Sequence, residues 1–274
     1  MGINLECVVT LAELTTSLPK SPSVMEFGAQ DISAQPSVVT DALRQHGFAG
    51  DELVSTAPQL YRRLGFGSYT AIDFIDGRED VKMFDLNQDI DTAYGYTETF
   101  DLVTNLGTLE HCFDQAAGFR NMHRLTKPGG YMLHILPVAG HVNHGFFNYH
   151  PRVVQEIALA NDYEFSVAFI TADFTATRIP YSIDNFKAND GRELMMYAVL
   201  KRVNDRPFSN PVDRMFTDQE AVMSSEFRSY VKAPWSNTVT GTAAAEPVTP
   251  PTPTEEKQKS AWLGSLFHIG RRRA

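Results

Sequence analysis

Four short stretches carry side chains able to grip a polar ligand: E-F-G-A-Q-D (26–31), A-I-D-F (71–74), F-D-L-N (84–87) and V-T-N-L-G (103–107). An ionised Asp73 can accept hydrogen bonds from two vicinal hydroxyls at once, and charged acceptors bind more strongly than neutral ones. Asp76, two residues into the following turn, is a rival for that role. Glu26 sits inside an apolar run, V-M-E-F, where an acid is costly to bury unless something pairs with it. Gly28 next to it permits a tight turn and a close backbone approach. The pair Glu110-His111 supplies an imidazole that takes up a proton near neutral pH. A second imidazole-rich stretch, H-V-N-H-G-F-F-N-Y-H (141–150), adds His141 and His144 as candidate bases. Its Asn148 and Tyr149 read as parts of a lid over a substrate. His141, His144 and His150 could ligate a metal. The run contains no acid and is loosened by Gly145, so no metal is expected.

These residues need elements to place them. V-M-E-F (24–27), residues 68–74, 81–85, 100–105, 131–137, 163–170 and 193–202 read as strands. Residues 36–47, with Pro36 near the start and Gly47 at the end, read as a helix, as do 51–64, 113–125 and 151–162. Strands separated by helices imply a mainly parallel sheet covered on both faces, with an antiparallel pair at one edge. Ligands of such sheets bind beyond the carboxyl ends of the strands. Glu26-Phe27-Gly28, Asp73, Asp85-Leu86-Asn87 and Asn105-Leu106-Gly107 all fall at predicted strand ends, in order. Asp101 opens its strand, away from that side, and reads as structural. The stretch 171–192 is long for a structureless connection and reads as a cover, with Arg178 and Tyr181 as candidate substrate contacts.

Totals set the outer bounds. A chain of 274 residues with 43% apolar and 21% charged residues can bury a substantial core. Its formal net charge of −9 disfavours non-specific nucleic-acid binding, so no nucleic-acid partner is expected. Two cysteines give neither a disulfide framework nor a cysteine metal cluster, and a cytoplasmic setting is the simpler reading. The first ten residues, M-G-I-N-L-E-C-V-V-T, lack a basic start and a long apolar run, and are read as neither a signal peptide nor a span. The organisation expected is a domain over 1–232, a Pro/Thr-rich linker over 233–260 and a short amphipathic basic segment over 261–274. That last segment could dock on a membrane surface or a partner protein. The oligomeric state is not readable.

Taken together, E-F-G-A-Q-D, the acid in A-I-D-F, F-D-L-N, F-D-L-V-T-N-L-G-T-L-E-H and R-L-T-K-P-G-G-Y resemble the class I S-adenosylmethionine-dependent methyltransferases over about residues 20–202. The last two stretches are the most telling. Asp101, Glu110-His111 and the run Leu125 to Gly130 match the family's fourth-strand aspartate, its E-H pair and its L-K-P-G-G turn, with Thr126 inserted. The resemblance implies a Rossmann-like, seven-stranded, mainly parallel α/β sheet with an antiparallel edge strand. It implies S-adenosylmethionine as cofactor, with Glu26, Gly28, Gln30, Asp73, Asp85, Leu86 and Asn105 at its site. Asp73 would hold the ribose diol, and Asp85 with Leu86 would face the adenine. Glu26 would favour the ammonium or hold the loop, and backbone N–H groups near Gly28 would take the carboxylate. Asn105 would lie beside the methyl group. The family's first motif carries three alternating glycines; Gln30 and Ile32 stand where the second and third would be. The reaction implied is in-line methyl transfer to a small molecule, such as a sugar or biosynthetic intermediate, with His111, His141 and His144 as candidate bases. The alternative is a non-catalytic binding or scaffold protein on the same fold, tethered by 261–274.

Overall fold

A computed structural model describes residues 2–75, 77–175, 177–181 and 191–212. The linker and terminal segment expected at 233–274 lie outside these residues, as does Asp76. Helix α1 (Leu5–Leu14) comes first, its open end satisfied by Asn4, whose Oδ1 accepts the Cys7 N–H at 2.8 Å. Then follow β1 (Ser23–Phe27), α2 (Pro36–Gln45), α3 (Ala57–Arg63), β2 (Ser68–Asp73), β3 (Val81–Met83), α4 (Ile90–Tyr94) and β4 (Phe100–Leu106). A 3-10 turn (Leu109–His111) leads into α5 (Gln115–Leu125) and β5 (Thr126–Ala139). The rest is α6 (Pro151–Ala160), β6 (Glu164–Ala172), β7 (Ile179–Pro180) and β8 (Leu194–Lys201). The sequence suggests a helix from residue 51, but α3 starts at Ala57. Thr56 and Gln59 form a capping box there, which fixes the start. Helices α1 and α4 were not anticipated. No helix among the described residues is long and apolar enough to cross a membrane.

One sheet runs in the order β3-β2-β1-β4-β5-β8-β6-β7. Strands β1 to β5 pair in parallel. β8 is antiparallel to both of its neighbours, β5 and β6. The fold class is as expected, with two refinements. The sheet has eight strands, the extra one being the two-residue β7, antiparallel to β6 at the edge. Pro180, which lacks an N–H, suits an edge. The long antiparallel strand β8 lies inside the sheet. Its run L-M-M-Y-A-V-L is buried throughout, and a strand apolar on both faces belongs in the interior.

Alternate residues of each strand feed two cores. Met25, Val103, Met132 and Met196 pack on one face with Ile90 of α4, Met122 of α5 and Ile157 of α6. Their neighbours Val24, Leu102, Leu133 and Tyr197 pack on the other face with Leu11 of α1, Leu43 of α2 and Leu60 of α3. The period of two on each strand thus produces helices on both faces. The chain moves outward from β1 to β2 and β3, then returns to place β4 on the other side of β1. That reversal opens a crevice beyond the ends of β1 and β4.

Candidate functional site

A cleft of about 930 Å³ lies at this crevice. Its wall includes Gly28 and Gln30 after β1, Asp73 at the end of β2, Asp85 and Leu86 after β3, and Gly107, Thr108 and His111 after β4. Four strand ends therefore meet in one cavity, within the range of about 300–1,000 Å³ usual for small-molecule sites.

Gly28 has φ +75° and Gly107 has φ +79°, a left-handed backbone that side chains disfavour. At Gly28 space matters as well. A Cβ there would lie 2.3 Å from Thr108 Oγ1 and 2.8 Å from Gln30 Nε2. Gln30 Nε2 donates to Thr108 Oγ1 at 3.1 Å, and Thr108 Oγ1 donates to the Phe27 carbonyl at 2.5 Å. Gln30 thus ties the two loops together in the space that a second glycine would leave. The backbone amides expected to receive a ligand carboxylate are already engaged. Gly28 N–H donates to the Ile72 carbonyl at 2.7 Å, Ala29 N–H to Asp73 Oδ2 at 3.0 Å and Gln30 N–H to Glu26 Oε2 at 3.1 Å. The polar residues on this part of the wall are Gln30, Asp31, Ser33 and Thr108.

Glu26 does not reach the cleft. It is fully buried and accepts from Tyr61 Oη at 3.1 Å and Tyr69 Oη at 2.8 Å as well as from Gln30 N–H. Of its two expected roles, contact with an ammonium and support of the loop, this position serves the second. Burial pushes its carboxyl up to about 7, outweighing the three donors that favour the charge. Asn105 is likewise fully buried and off the wall. Its Oδ1 accepts Thr108 N–H at 3.1 Å and Leu109 N–H at 3.0 Å, so it shapes the turn after β4.

Asp73 lines the cleft while its Oδ1 accepts Ile75 N–H at 3.0 Å and its Oδ2 the Ala29 amide. Asp85 Oδ1 accepts both the N–H and the Nδ2 of Asn87, at 2.9 and 2.8 Å. Asn87 Oδ1 in turn accepts from Phe113 and Asp114 N–H at 2.7 and 2.9 Å, which fixes this loop to the start of α5. Leu86 and Ile72 supply apolar wall, extended at the rim by Phe74 and Ile75, which are 69% and 80% exposed.

The three candidate histidines gather. His111 is on the cleft wall, the His144 ring lies 4.9 Å from it, and the His141 ring lies 5.9 Å from His144. Burial lowers the His111 and His144 pKa values. Glu110 is fully buried beside them, and burial raises its carboxyl to about 7. His150 instead caps α6, its Nδ1 accepting Arg152 N–H at 3.2 Å.

The residues expected to touch substrate are placed elsewhere. Tyr149 is buried, its Oη donating to Gln115 Oε1 at 2.6 Å. Arg178 bonds Glu6 at 2.7 Å and pairs with Glu13 at 2.9 Å, both on α1, and lies over the Phe169 ring. Tyr181 is buried, and exposed Asn148 reaches the His141 carbonyl at 3.5 Å. None of these four lines the cleft. A long polar side chain in a presumed cover can equally be an anchor, and Glu6 and Glu13 make Arg178 one. The wall residues that were missed include Thr108, Ser33, Ile72, Phe74, Ile75, Cys112 and the N-terminal Gly2. Gly2 arrives because Ile3 N–H donates to the Asp31 carbonyl at 2.8 Å and Ser33 N–H returns a bond to Ile3 at 3.0 Å. Nothing local in the sequence announces that pairing; for Thr108 the N-L-G-T turn was a usable signal.

An open α/β sheet of this order, with its cleft at the β1/β4 reversal, defines a nucleotide-type binding fold. A methyltransferase-domain family model matches residues 6–174, more than half of the chain. The chain belongs to that family. No curated protein matches the sequence significantly. Among solved structures, the 1,6-didemethyltoxoflavin-N1-methyltransferase of Burkholderia thailandensis, with bound 1,6-didemethyltoxoflavin and S-adenosylhomocysteine, is 12% identical. That match covers 73% of this chain and 80% of the other, with a TM-score of 0.44. The N-methyltransferase NodS from Bradyrhizobium japonicum WM9, in complex with S-adenosyl-L-homocysteine, is 13% identical over 73% of this chain and 86% of its own, with a TM-score of 0.43. A TehB-like SAM-dependent methyltransferase from Corynebacterium glutamicum is 16% identical over 73% and 88%, with a TM-score of 0.40.

Proposed function

We propose that this chain transfers a methyl group from S-adenosylmethionine to a small-molecule acceptor, with a sugar or a biosynthetic intermediate as the first acceptors to try. The observation that carries this reading is the convergence of Gly28, Asp73, Asp85, Leu86 and His111 on one cleft. The residues fit the cofactor. Asp73, on the wall at the end of β2, is assigned to the ribose hydroxyls. Asp85 offers a charged edge to the adenine, with Leu86 and Ile72 as apolar walls. Gln30 and Thr108 take the amino-acid end, where the loop amides are already engaged. Bound there, the cofactor supplies an electrophilic methyl group on sulfur. The chain's own residues then have to hold the acceptor in line and keep water away. His111 is the histidine on the wall, and we assign it to the acceptor's side, with His144 and His141 behind it.

A second reading is supported by the closed state of the Gly28 loop. A non-catalytic binding protein could keep this fold with its amides satisfied internally. Native mass spectrometry of the purified full chain, followed by assay with a panel of hydroxyl, amine and carbon acceptors, separates the two. Methyl transfer expects added mass of S-adenosylmethionine or its demethylated product, and turnover on at least one acceptor. Added mass without turnover on any acceptor favours the second reading. No added mass, even after incubation with excess cofactor, goes against methyl transfer.

A further inference from the structure

We propose that Glu110, His111 and His144 form a binding site for a divalent first-row transition-metal cation, such as zinc or manganese, at the edge of the cleft. One ligand atom from each of these residues lies within 4.8 Å of the others. The Glu110 side chain is fully buried, and among the described residues neither of its oxygens has a hydrogen-bond donor. Its nearest polar neighbour is His144 Nε2, 3.5 Å from Oε1, itself without a hydrogen-bond partner among the described residues. A buried carboxylate facing two imidazoles, with no donor satisfied, is a poor structural device and a good ligand set. Two imidazoles and one carboxylate make a mixed nitrogen and oxygen donor group that suits zinc, manganese or iron better than calcium or magnesium.

The loop carrying His144 is also held in place for this purpose. Phe146 and Phe147 N–H both donate to the Glu110 carbonyl, at 2.8 and 3.3 Å. Gly145 makes the approach feasible, since a Cβ there would lie 2.9 Å from that carbonyl and 3.0 Å from Glu110 Cγ. The backbone of the post-β5 loop is thereby fastened to the ligand of the post-β4 turn. Metal–ligand bonds of about 2.0–2.2 Å bring ligand atoms about 3–4 Å apart, so small side-chain rotations complete the set. His141 Nε2, buried and without a hydrogen-bond partner among the described residues, is a fourth donor within reach of His144. His111 belongs both to the cluster and to the cleft wall, which puts the open coordination positions on the cleft side. On the methyl-transfer reading, an acceptor oxygen would fill such a position, and His111 would be a ligand and not a proton acceptor.

The test is metal occupancy, which needs no turnover. Full-length protein is stripped with chelator and titrated separately with zinc and manganese chlorides by calorimetry, with cobalt as a spectroscopic probe. Expected are one equivalent per chain, a cobalt visible spectrum with nitrogen ligation, and at least 100-fold weaker binding in His144→Ala. His150→Ala, outside the cluster, should bind as the wild type does. Glu110→Gln should match His144→Ala; if it fails to fold, the partly exposed His144 position still decides. Absence of stoichiometric binding, or binding unchanged in His144→Ala, overturns the site. Metal binding in a protein that does not bind S-adenosylmethionine would leave the site standing and remove the methyl-transfer reading.

Discussion

The acid inside V-M-E-F turns out to be a structural hinge of the site. Glu26 is held by two tyrosine hydroxyls and the Gln30 amide, so it fixes the loop that Gly28 begins. Its folded-state pKa of about 7 lies above the ordinary 4.5, which sets the sign of its contribution. Between those values the folded protein holds a proton that the unfolded chain has released, so stability falls as pH rises through that window. The shift corresponds to about 3 kcal/mol, fully developed above pH 7 and absent below pH 4.5. Glu26→Gln removes the charge. Denaturant unfolding at pH 4 and pH 8 should therefore show the mutant gaining on the wild type as pH rises. A difference independent of pH would mean that Glu26 keeps an ordinary pKa. The residue types were legible in the sequence, but their direction was not. A carboxylate at a strand end serves equally as ligand contact or loop support, and only Tyr61 and Tyr69, brought in from α3 and β2, decide it.

The turns that follow the elements differ in their chemistry. At Gly28 both backbone and space require glycine, because a Cβ would meet Thr108 Oγ1 at 2.3 Å. At Gly47, just after α2, φ is +88° but nothing lies within 4 Å of a Cβ. Gly47→Ala should thus cost about 1–2 kcal/mol, the left-handed backbone penalty alone. Gly28→Ala should cost more, and should also displace Thr108 and Gln30 from the cleft wall. Thermal unfolding of the two variants side by side checks this; equal losses would mean that the β1 and β4 loops are not in contact there. The elements themselves could be read because period and turn residues mark them: F-D-L-V-T-N at β4 and Y-M-L-H-I-L-P within β5 are examples. Strand β7 and helix α4 were missed because two and five residues are too short for a periodic signal. The interior place of β8 was available in its unbroken apolar run, which an edge position would leave half exposed.

At the scale of the molecule, the site depends on contacts between segments distant in sequence. Arg78, before β3, donates to the Ala29 carbonyl at 3.1 Å and pairs with Asp31 at 3.4 Å, holding the β1 loop from outside. The N-terminal Ile3 holds the same loop from the other side. Lys127 Nζ bonds Asp101 at 3.0 Å, and Asp101 accepts Ser23 N–H at 2.8 Å, which ties the starts of β1, β4 and β5 at the end away from the cleft. Asp101, the second residue of β4, stands at that end, as expected of an acid near a strand's start. The inward turn of Tyr149 and the capture of Arg178 by α1 were not readable, since they depend on which surface each loop meets after folding. The gathering of Asp73, Asp85, Leu86 and His111 follows from sheet order, which the alternation of elements did reveal. On the proposed reading this gathering binds a nucleoside joined to an amino acid, with Asp73 on its sugar. Calorimetric titration of S-adenosylmethionine into wild-type and Asp73→Ala protein, each verified as folded by circular dichroism, tests it most directly. One equivalent bound by the wild type, and binding at least 10-fold weaker in the variant, is the predicted result, matching about 1.5–3 kcal/mol for hydrogen bonds to a charged acceptor. No binding by the folded wild type, or equal binding by both proteins, would contradict it.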